Sequence, residues 1–322
     1  MSTSRIRADL YAPAFMNELR DLIQSKSFCL EDSILITSET RSGSTWLMEL
    51  LSNIPFTVIN WEPLHPRFGV VPDEYKWGNR PFIPEGSTPD EFLTLIKEIL
   101  TLKRNTDWTL SFCYINRAVT ANRVITKCVR ANLLLPWLTS NIRFKHKPVL
   151  LLRHPISVAI SQLETFKNEK RELQNFQIPD WINNERFTEN LGFIAGLATR
   201  LEKKIALWCI NHLTTIRHPE HGKRWLVVYY EDLLLDPAGE LQRILSELNL
   251  DIEEALMDNI NFRKPSATKF KDQFEEDPVR QLEKWQGLLT QEEKNNMQKI
   301  FDYFNISEYS AFQNGPIRTN TV

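Results

Sequence analysis

Cysteine is scarce and scattered in this chain of 322 residues: Cys29, Cys113, Cys128 and Cys209 lie far apart, and no C-x-x-C pair occurs. That spacing points away from a cysteine-built zinc site and from a disulfide framework, and leaves reduced, buried thiols as the expectation. No apolar run reaches the roughly 20 residues that a membrane-crossing helix needs. The stretch from Met1 to about Cys29 is charged and helical in pattern, without the apolar core of a secretion signal. The expectation is a cytoplasmic protein with no membrane contact. An excess of one charge is also missing, since 39 Lys and Arg stand against 41 Asp and Glu for a net −2. Such a balance gives no global attraction to nucleic acid, so any polyanion site must be local.

What is present fits a soluble globular protein, with 42% hydrophobic and 25% charged residues. The length permits one large α/β domain or two small ones, and one is expected. Short apolar or β-branched runs at Ser33–Thr37, Phe56–Asn60, Arg123–Lys127, Pro148–Leu152 and Trp225–Tyr230 read as buried parallel strands, with helical patterns between most of them. That alternation predicts an α/β fold of three layers, a central, mainly parallel five-stranded sheet flanked by helices. Ligands in such sheets bind beyond the carboxyl ends of the strands. Two stretches break the rhythm. Pro63 to Pro89 is dense in proline and carries Phe68, Tyr75, Trp77 and Phe82, which suits a pocket wall; Glu164 to Arg217 is charged and mostly helical, interrupted at Pro179-Asp180-Trp181.

The densest signal is Ile34-Leu35-Ile36-Thr37-Ser38-Glu39-Thr40-Arg41-Ser42-Gly43-Ser44-Thr45-Trp46-Leu47, an apolar strand that runs through a short polar turn into a helix. The unpaired N–H groups of that helix, the hydroxyls of Ser42, Ser44 and Thr45, and the Arg41 guanidinium would converge on one anion. The bland alternative is a helix capped by a serine, with no ligand. A nucleotide P-loop would write Gly-x-x-x-x-Gly-Lys-Ser/Thr. Here the cation stands two residues before the only glycine, on the strand side of the turn.

The order Arg-Ser-Gly-Ser-Thr-Trp-Leu resembles the 5′-phosphosulfate loop of sulfotransferases that use 3′-phosphoadenosine 5′-phosphosulfate (PAPS), and looks closest to the carbohydrate and bacterial small-molecule branch. Further segments resemble that family in order. Arg153, at a strand end, is followed eight positions on by Ser161, the spacing with which the family binds the 3′-phosphate. Val228-Tyr229-Tyr230-Glu231-Asp232-Leu233, then Asp236-Pro237, is similar to its last core strand and the turn after it; by that resemblance Tyr230 approaches the nucleotide, and Glu231 and Asp232 are helix N-terminal charges. Arg263, Lys264 and Ser266 match the late loop that closes the cofactor site, although Pro265 stands where glycine is usual.

The resemblance implies one P-loop-like sulfotransferase domain over 1–322, with an N-terminal helical segment at 1–30 and a helical insertion at 164–217. It implies PAPS as co-substrate with no metal, a small-molecule acceptor, no nucleic-acid partner, and a homodimer as one assembly to consider. The cofactor set is Arg41, Ser42, Gly43, Ser44, Thr45, Trp46, Arg153, Ser161, Tyr230, Arg263, Lys264 and Ser266. Arg41 is expected as an electrostatic clamp, since a guanidinium keeps its proton, and Lys127 is expected to meet the leaving oxygen. The cytosolic branch writes Lys-Thr-His at this strand end, whereas here Lys127-Cys128-Val129 has no histidine. Trp61-Glu62-Pro63 instead resembles the Glu-Pro of some carbohydrate sulfotransferases, which makes Glu62 the expected base and His65 the reserve. The plain reading of Glu62 is an ion-pair partner of Arg41 or Lys127. The rivals are an ATP-dependent kinase or NTPase on the same core and a non-catalytic nucleotide-binding module.

Overall fold

A computed structural model describes residues 13–75, 80–166, 185–250, 252, 257–264, 266–268 and 277–318. Five strands, β1 (Ile34–Ser38), β2 (Thr57–Trp61), β3 (Arg123–Cys128), β4 (Val149–Leu152) and β5 (Leu226–Tyr229), form one sheet in the order β2-β3-β1-β4-β5. Every pairing is parallel, with Ile36 opposite both Lys127 and Val149. All five residues of β1 are buried. Both sheet faces are therefore covered, as continuous apolar runs in place of alternating ones require.

Successive side chains of a strand leave on opposite faces, and the core divides accordingly. Leu35, Leu150 and Leu152 enter one cluster, while Ile34, Ile36, Leu151 and Val228 enter the other. The helices are α1 (Pro13–Gln24), α2 (Ser44–Leu51), α3 (Asp90–Leu100), α4 (Ile115–Thr120), α5 (Leu135–Asn141), α6 (Pro155–Thr165), α7 (Glu185–Gly196), α8 (Arg200–Ile216), α9 (Tyr230–Leu235) and α10 (Pro237–Glu247), then two more at Pro278–Glu283 and Gln291–Tyr303. Residues of α1, α2 and α10 line the second cluster; α5, α6, α8 and the Gln291–Tyr303 helix line the first.

Within the stretch 164–217, α8 opens with a capping box, in which the Thr199 hydroxyl accepts from Glu202 N–H and the Glu202 carboxylate from Thr199 N–H. It then buries Ile205, Trp208, Cys209 and Ile210 in the core. The Pro179-Asp180-Trp181 break and Trp77 lie outside the described residues. No described helix is long and apolar enough to cross a membrane.

The strand order has one consequence for function. From β1 the chain first builds the β2 and β3 side and then the β4 and β5 side. Its direction reverses at β1, so loops from both halves meet above the carboxyl end of that strand.

Candidate active site

Two clusters of charge stand over the carboxyl edge of the sheet. The first is built on β1, β4 and β5. After Ser38 the chain turns through Glu39–Gly43, with Ser42 N–H donating to the Glu39 carbonyl at 3.1 Å, and enters α2. Arg41 and Gly43 both take left-handed backbone conformations, with φ of 72° and 96°. Gly43 is required twice over: its φ disfavours a side chain, and a Cβ there would sit 2.5 Å from Cδ2 of Tyr230. Gly43 is also the N-cap of α2, and no side chain caps that helix. The alternative of a helix merely capped by a serine is thereby set aside. The first N–H groups of α2 have no intrahelical partner, and the buried Ser42 Oγ makes no hydrogen bond among the described residues.

The cations converge differently from the sequence expectation. Arg41 Nε donates to Ser161 Oγ at 3.1 Å and its Nη1 to the Thr268 carbonyl at 3.2 Å. Arg153, at the end of β4, donates to the Arg41 carbonyl at 3.0 Å and to Ser157 Oγ at 2.8 Å, and lies over the Tyr230 ring at 4.2 Å. Trp46 packs edge-on against the same ring, with centroids 6.2 Å apart. Residues expected at opposite ends of the nucleotide, Arg41 and Ser161, thus touch. Burial lowers the Arg41 pKa, and the like charge of Arg153 lowers it further. A guanidinium does not respond by losing its proton. Two neighbouring, partly buried cations of one sign, beside an uncapped helix N-terminus and an unsatisfied buried hydroxyl, are an arrangement that an anion completes.

The last loop meets this cluster through Thr268, which the sequence reading did not single out. Thr268 Oγ1 donates to Thr45 Oγ1 at 3.2 Å, and Ala267 N–H donates to Glu49 at 3.1 Å. Arg263 and Lys264 are exposed and Ser266 is half-buried. Two other residues were not foreseen. Ser157 could have been found from its position one turn before Ser161. Glu39, fully inside, accepts from Thr40 N–H at 2.9 Å and Asn211 at 2.8 Å and pairs with Arg80. It braces the turn from below, through contacts too distant in sequence for any local pattern.

The second cluster is built on β2 and β3. Parallel pairing sets Trp61 opposite Lys127, and Glu62 N–H donates to the Lys127 carbonyl at 2.8 Å. The Glu62 carboxylate then lies against the Lys127 ammonium, both side chains about 5% exposed. Its other oxygen accepts from Val129 N–H at 3.1 Å and from Arg130 at 3.3 Å. The backbone of Glu62 is left-handed, φ 43°, a conformation that costs a non-glycine residue about 1–3 kcal/mol and persists where surrounding contacts enforce it. Burial pushes the Glu62 carboxyl up, but Lys127, Arg130 and Val129 N–H outweigh it and hold the group below the ordinary glutamate value. The ion-pair reading of Glu62 therefore describes the resting arrangement, with Lys127 as partner. Burial therefore does not bring Glu62 up towards neutrality in this arrangement.

His65 stands nearby in a different state. Its Nδ1 accepts from Arg67 N–H and Phe68 N–H, each at 3.2 Å. Burial first, and Arg130 second, bring its pKa down to about 4. A neutral ring with Nδ1 so occupied carries its proton on Nε2, so it can donate but has no free lone pair to act as base. Aromatic rings wall this side. Trp61 stacks on Phe112 at 4.3 Å, Lys127 Nζ sits 4.2 Å over the Trp61 ring, and His65, Phe68 and Trp108 pack together at 4.9–5.2 Å.

A model of the sulfotransferase domain matches residues 31–312. The chain belongs to that family. It is a PAPS-dependent sulfotransferase. Similar solved structures include a mouse sulfotransferase complexed with PAP, at 15% identity over 92% of this chain and 91% of that one, with a TM-score of 0.44. The sulfotransferase domain of the curacin biosynthetic pathway shares 18% identity over 84% and 96% of the two chains, with a TM-score of 0.44. That of a Synechococcus olefin synthase shares 20% over 87% and 98%, with a TM-score of 0.43. At these scores the likeness carries nothing about the acceptor. Among curated proteins none matches the chain.

Family membership removes the kinase reading, and the local contacts agree. Asp232 and Asp236, the acidic residues after the last strand to which a kinase would look for its magnesium ligands, are engaged locally: Asp232 pairs with Arg318, and Asp236 caps α10 by accepting from Gly239 N–H at 3.0 Å.

Proposed function

We propose that this enzyme moves the sulfo group of PAPS to a hydroxyl or nitrogen of a small polar metabolite, a saccharide or a natural product, with Glu62 as base and no metal. The observation that carries the reading is the buried Lys127–Glu62–Arg130 arrangement beside an aromatic wall, on the same edge of the sheet as the neighbouring Arg41 and Arg153 guanidinium groups. PAPS supplies an activated sulfo group on a phosphate leaving group. The protein must bind that polyanion, neutralise charge on the departing phosphate oxygen, and take one proton from the acceptor.

Arg153, Ser157 and Ser161 suit the 3′-phosphate, while the α2 N-terminus with Ser42, Ser44 and Thr45 suits the 5′-phosphate. Arg41 reaches between them. Each charge-assisted hydrogen bond shielded from water contributes about 1.5–3 kcal/mol, so a few of them bind the nucleotide tightly. In the transfer step the S–O bond to the phosphate breaks as the acceptor oxygen or nitrogen bonds to sulfur. The acceptor's proton passes to Glu62 Oε1.

That oxygen becomes free when Lys127 turns from it towards the developing charge on the leaving phosphate. Losing Lys127 from Oε1 removes the strongest local cause of the low Glu62 pKa and makes the carboxylate more basic when a base is needed. Val129 N–H and Arg130 keep hold of the other oxygen throughout. His65, with its proton on Nε2, is placed to donate to the acceptor. Flat apolar rings at Phe112, Phe68 and Trp108 suit the face of a sugar or of a ring compound.

The test is to incubate the pure protein with PAPS and a fractionated metabolite extract and to search for masses that gain one sulfo group. A product that forms with the native protein and not with Glu62→Gln is expected. Binding of adenosine 3′,5′-bisphosphate (PAP) with no sulfo transfer to any fraction would leave a nucleotide-binding module instead.

A further inference from the structure

Glu231 has a role that its position at the start of α9 does not suggest. Its carboxyl is 1% exposed; one oxygen accepts from His154 N–H at 2.8 Å and the other from the hydroxyl of the fully buried Tyr309 at 3.1 Å. The amide it holds belongs to the residue immediately after Arg153. Glu231 itself follows Tyr230, whose ring lies under the Arg153 guanidinium. Two dipeptides from neighbouring strand ends, Arg153-His154 and Tyr230-Glu231, are thus joined twice: guanidinium on ring, and carboxyl on amide. The His154 ring is fixed in turn by the Ser310 carbonyl at 3.0 Å and by stacking on Trp285 at 4.6 Å.

We infer that Glu231 is the positioning residue for the 3′-phosphate of PAPS, setting the reach and tilt of Arg153 through the His154 amide and the Tyr230 ring. The inference rests on the reading that Arg153 holds that phosphate. It touches no reacting atom, and it works by fixing the two partners that meet the nucleotide.

The same carboxyl adds a charge effect. Burial, the largest influence, raises its pKa to about 7, against the pull of His154 N–H, Arg153 and Tyr309. The other groups that face it are Tyr229 and Tyr230, both shifted up by burial, His154, lowered by burial to about 4, and Asp232, which is paired with Arg318. Neither the two tyrosines nor His154 titrates near neutrality. As pH rises from 6 to 8, Glu231 turns into a carboxylate behind Arg153 and competes with the phosphate for that guanidinium. A glutamine keeps the acceptor for His154 N–H and never carries the charge.

The experiment compares calorimetric binding of PAP and of adenosine 5′-phosphate, which lacks the 3′-phosphate, at pH 6 and pH 8. Glu231→Ala is expected to weaken PAP by about tenfold, the loss of one well-placed charge-assisted contact, while leaving adenosine 5′-phosphate unchanged. Glu231→Gln is expected to match the native protein at pH 6 and to bind PAP about threefold more tightly at pH 8. The glutamine profile decides the matter if the alanine variant does not fold. An unchanged PAP to adenosine 5′-phosphate ratio in Glu231→Ala, or a Glu231→Gln profile parallel to the native one, overturns the inference. Arg153→Met separates the two layers. If its PAP to adenosine 5′-phosphate ratio is unchanged, the reading of Arg153 falls; if that ratio collapses while both Glu231 variants behave as the native protein, only the positioning role falls.

Discussion

The two halves of the sheet treat charge in opposite ways. On the β1, β4 and β5 side, Arg41 and Arg153 are brought together, and burial first and the like charge of Arg153 second lower the Arg41 pKa, with no carboxylate in direct contact with either among the described residues. On the β2 and β3 side, Glu62 is surrounded by Lys127, Arg130 and a backbone amide. One region gathers positive charge that suits an anionic ligand. The other is internally paired, and under the proposed mechanism it gives up that pairing when the leaving phosphate draws Lys127 away. A protein that binds a polyanion and also needs a basic carboxylate close by must keep the two apart, or the carboxylate would occupy the anion site itself. Separate strand ends achieve this.

That contrast can be broken most directly at its centre. Glu62→Gln should lower turnover by about 10²–10⁴-fold, the range for loss of a positioned general base, and change PAP affinity by less than about twofold. The rate of PAP release with an accepted substrate and a binding titration measure the two. Equal losses in both would show that the halves are not separate.

Arg41→Met should do the converse in binding, weakening PAP by about 10- to 100-fold through the loss of one or two charged contacts, as calorimetry would read. Gly43→Ala is expected to be smaller, about 1–3 kcal/mol of stability and a matching fall in PAP affinity, because φ of 96° and the Tyr230 ring both oppose a side chain. Thermal melts with and without PAP would separate these parts.

The smallest effect sharpens the contrast through pH. Glu62 has a lowered native pKa, so its stabilising contribution is present above the unfolded value of 4.5 and is lost as pH falls through the native one. Glu231 is raised from 4.5 to about 7, so its contribution is complete below 4.5 and is lost as pH rises through 7. Melting midpoints of Glu62→Gln should therefore approach the native ones in acid. Those of Glu231→Gln should gain on the native protein between pH 5 and pH 8. A shared direction for both would contradict the structure.

All five strands were legible within about a residue, because strands buried on both faces read as unbroken apolar runs bounded by polar turns. The loop at Arg41–Thr45 was legible for the same reason, as a polar turn between two apolar elements. The order β2-β3-β1-β4-β5 was not, since pairing is decided by packing between segments distant in sequence. The same limit explains the site. The sequence offered Glu62 and Lys127 separately, 65 residues apart, and only the register of β2 on β3 makes them an ion pair. Arg41 is carried to Ser161 across 120 residues, and Glu231 to the His154 amide across 77. Nothing in Tyr-Glu-Asp-Leu distinguishes a buried strut from a helix-end charge.

The reversal of the chain at β1 has a meaning for how such an enzyme can change. The acceptor wall proposed above hangs on the loops after β2 and before β3, whereas the proposed nucleotide anchors hang on β1, β4 and β5. On that proposal, substitutions at Phe68, Trp108 or Phe112 should alter what is recognised without moving Arg153, Tyr230 or Glu231. New substrate ranges are therefore open to small libraries confined to two segments, with the donor chemistry inherited intact.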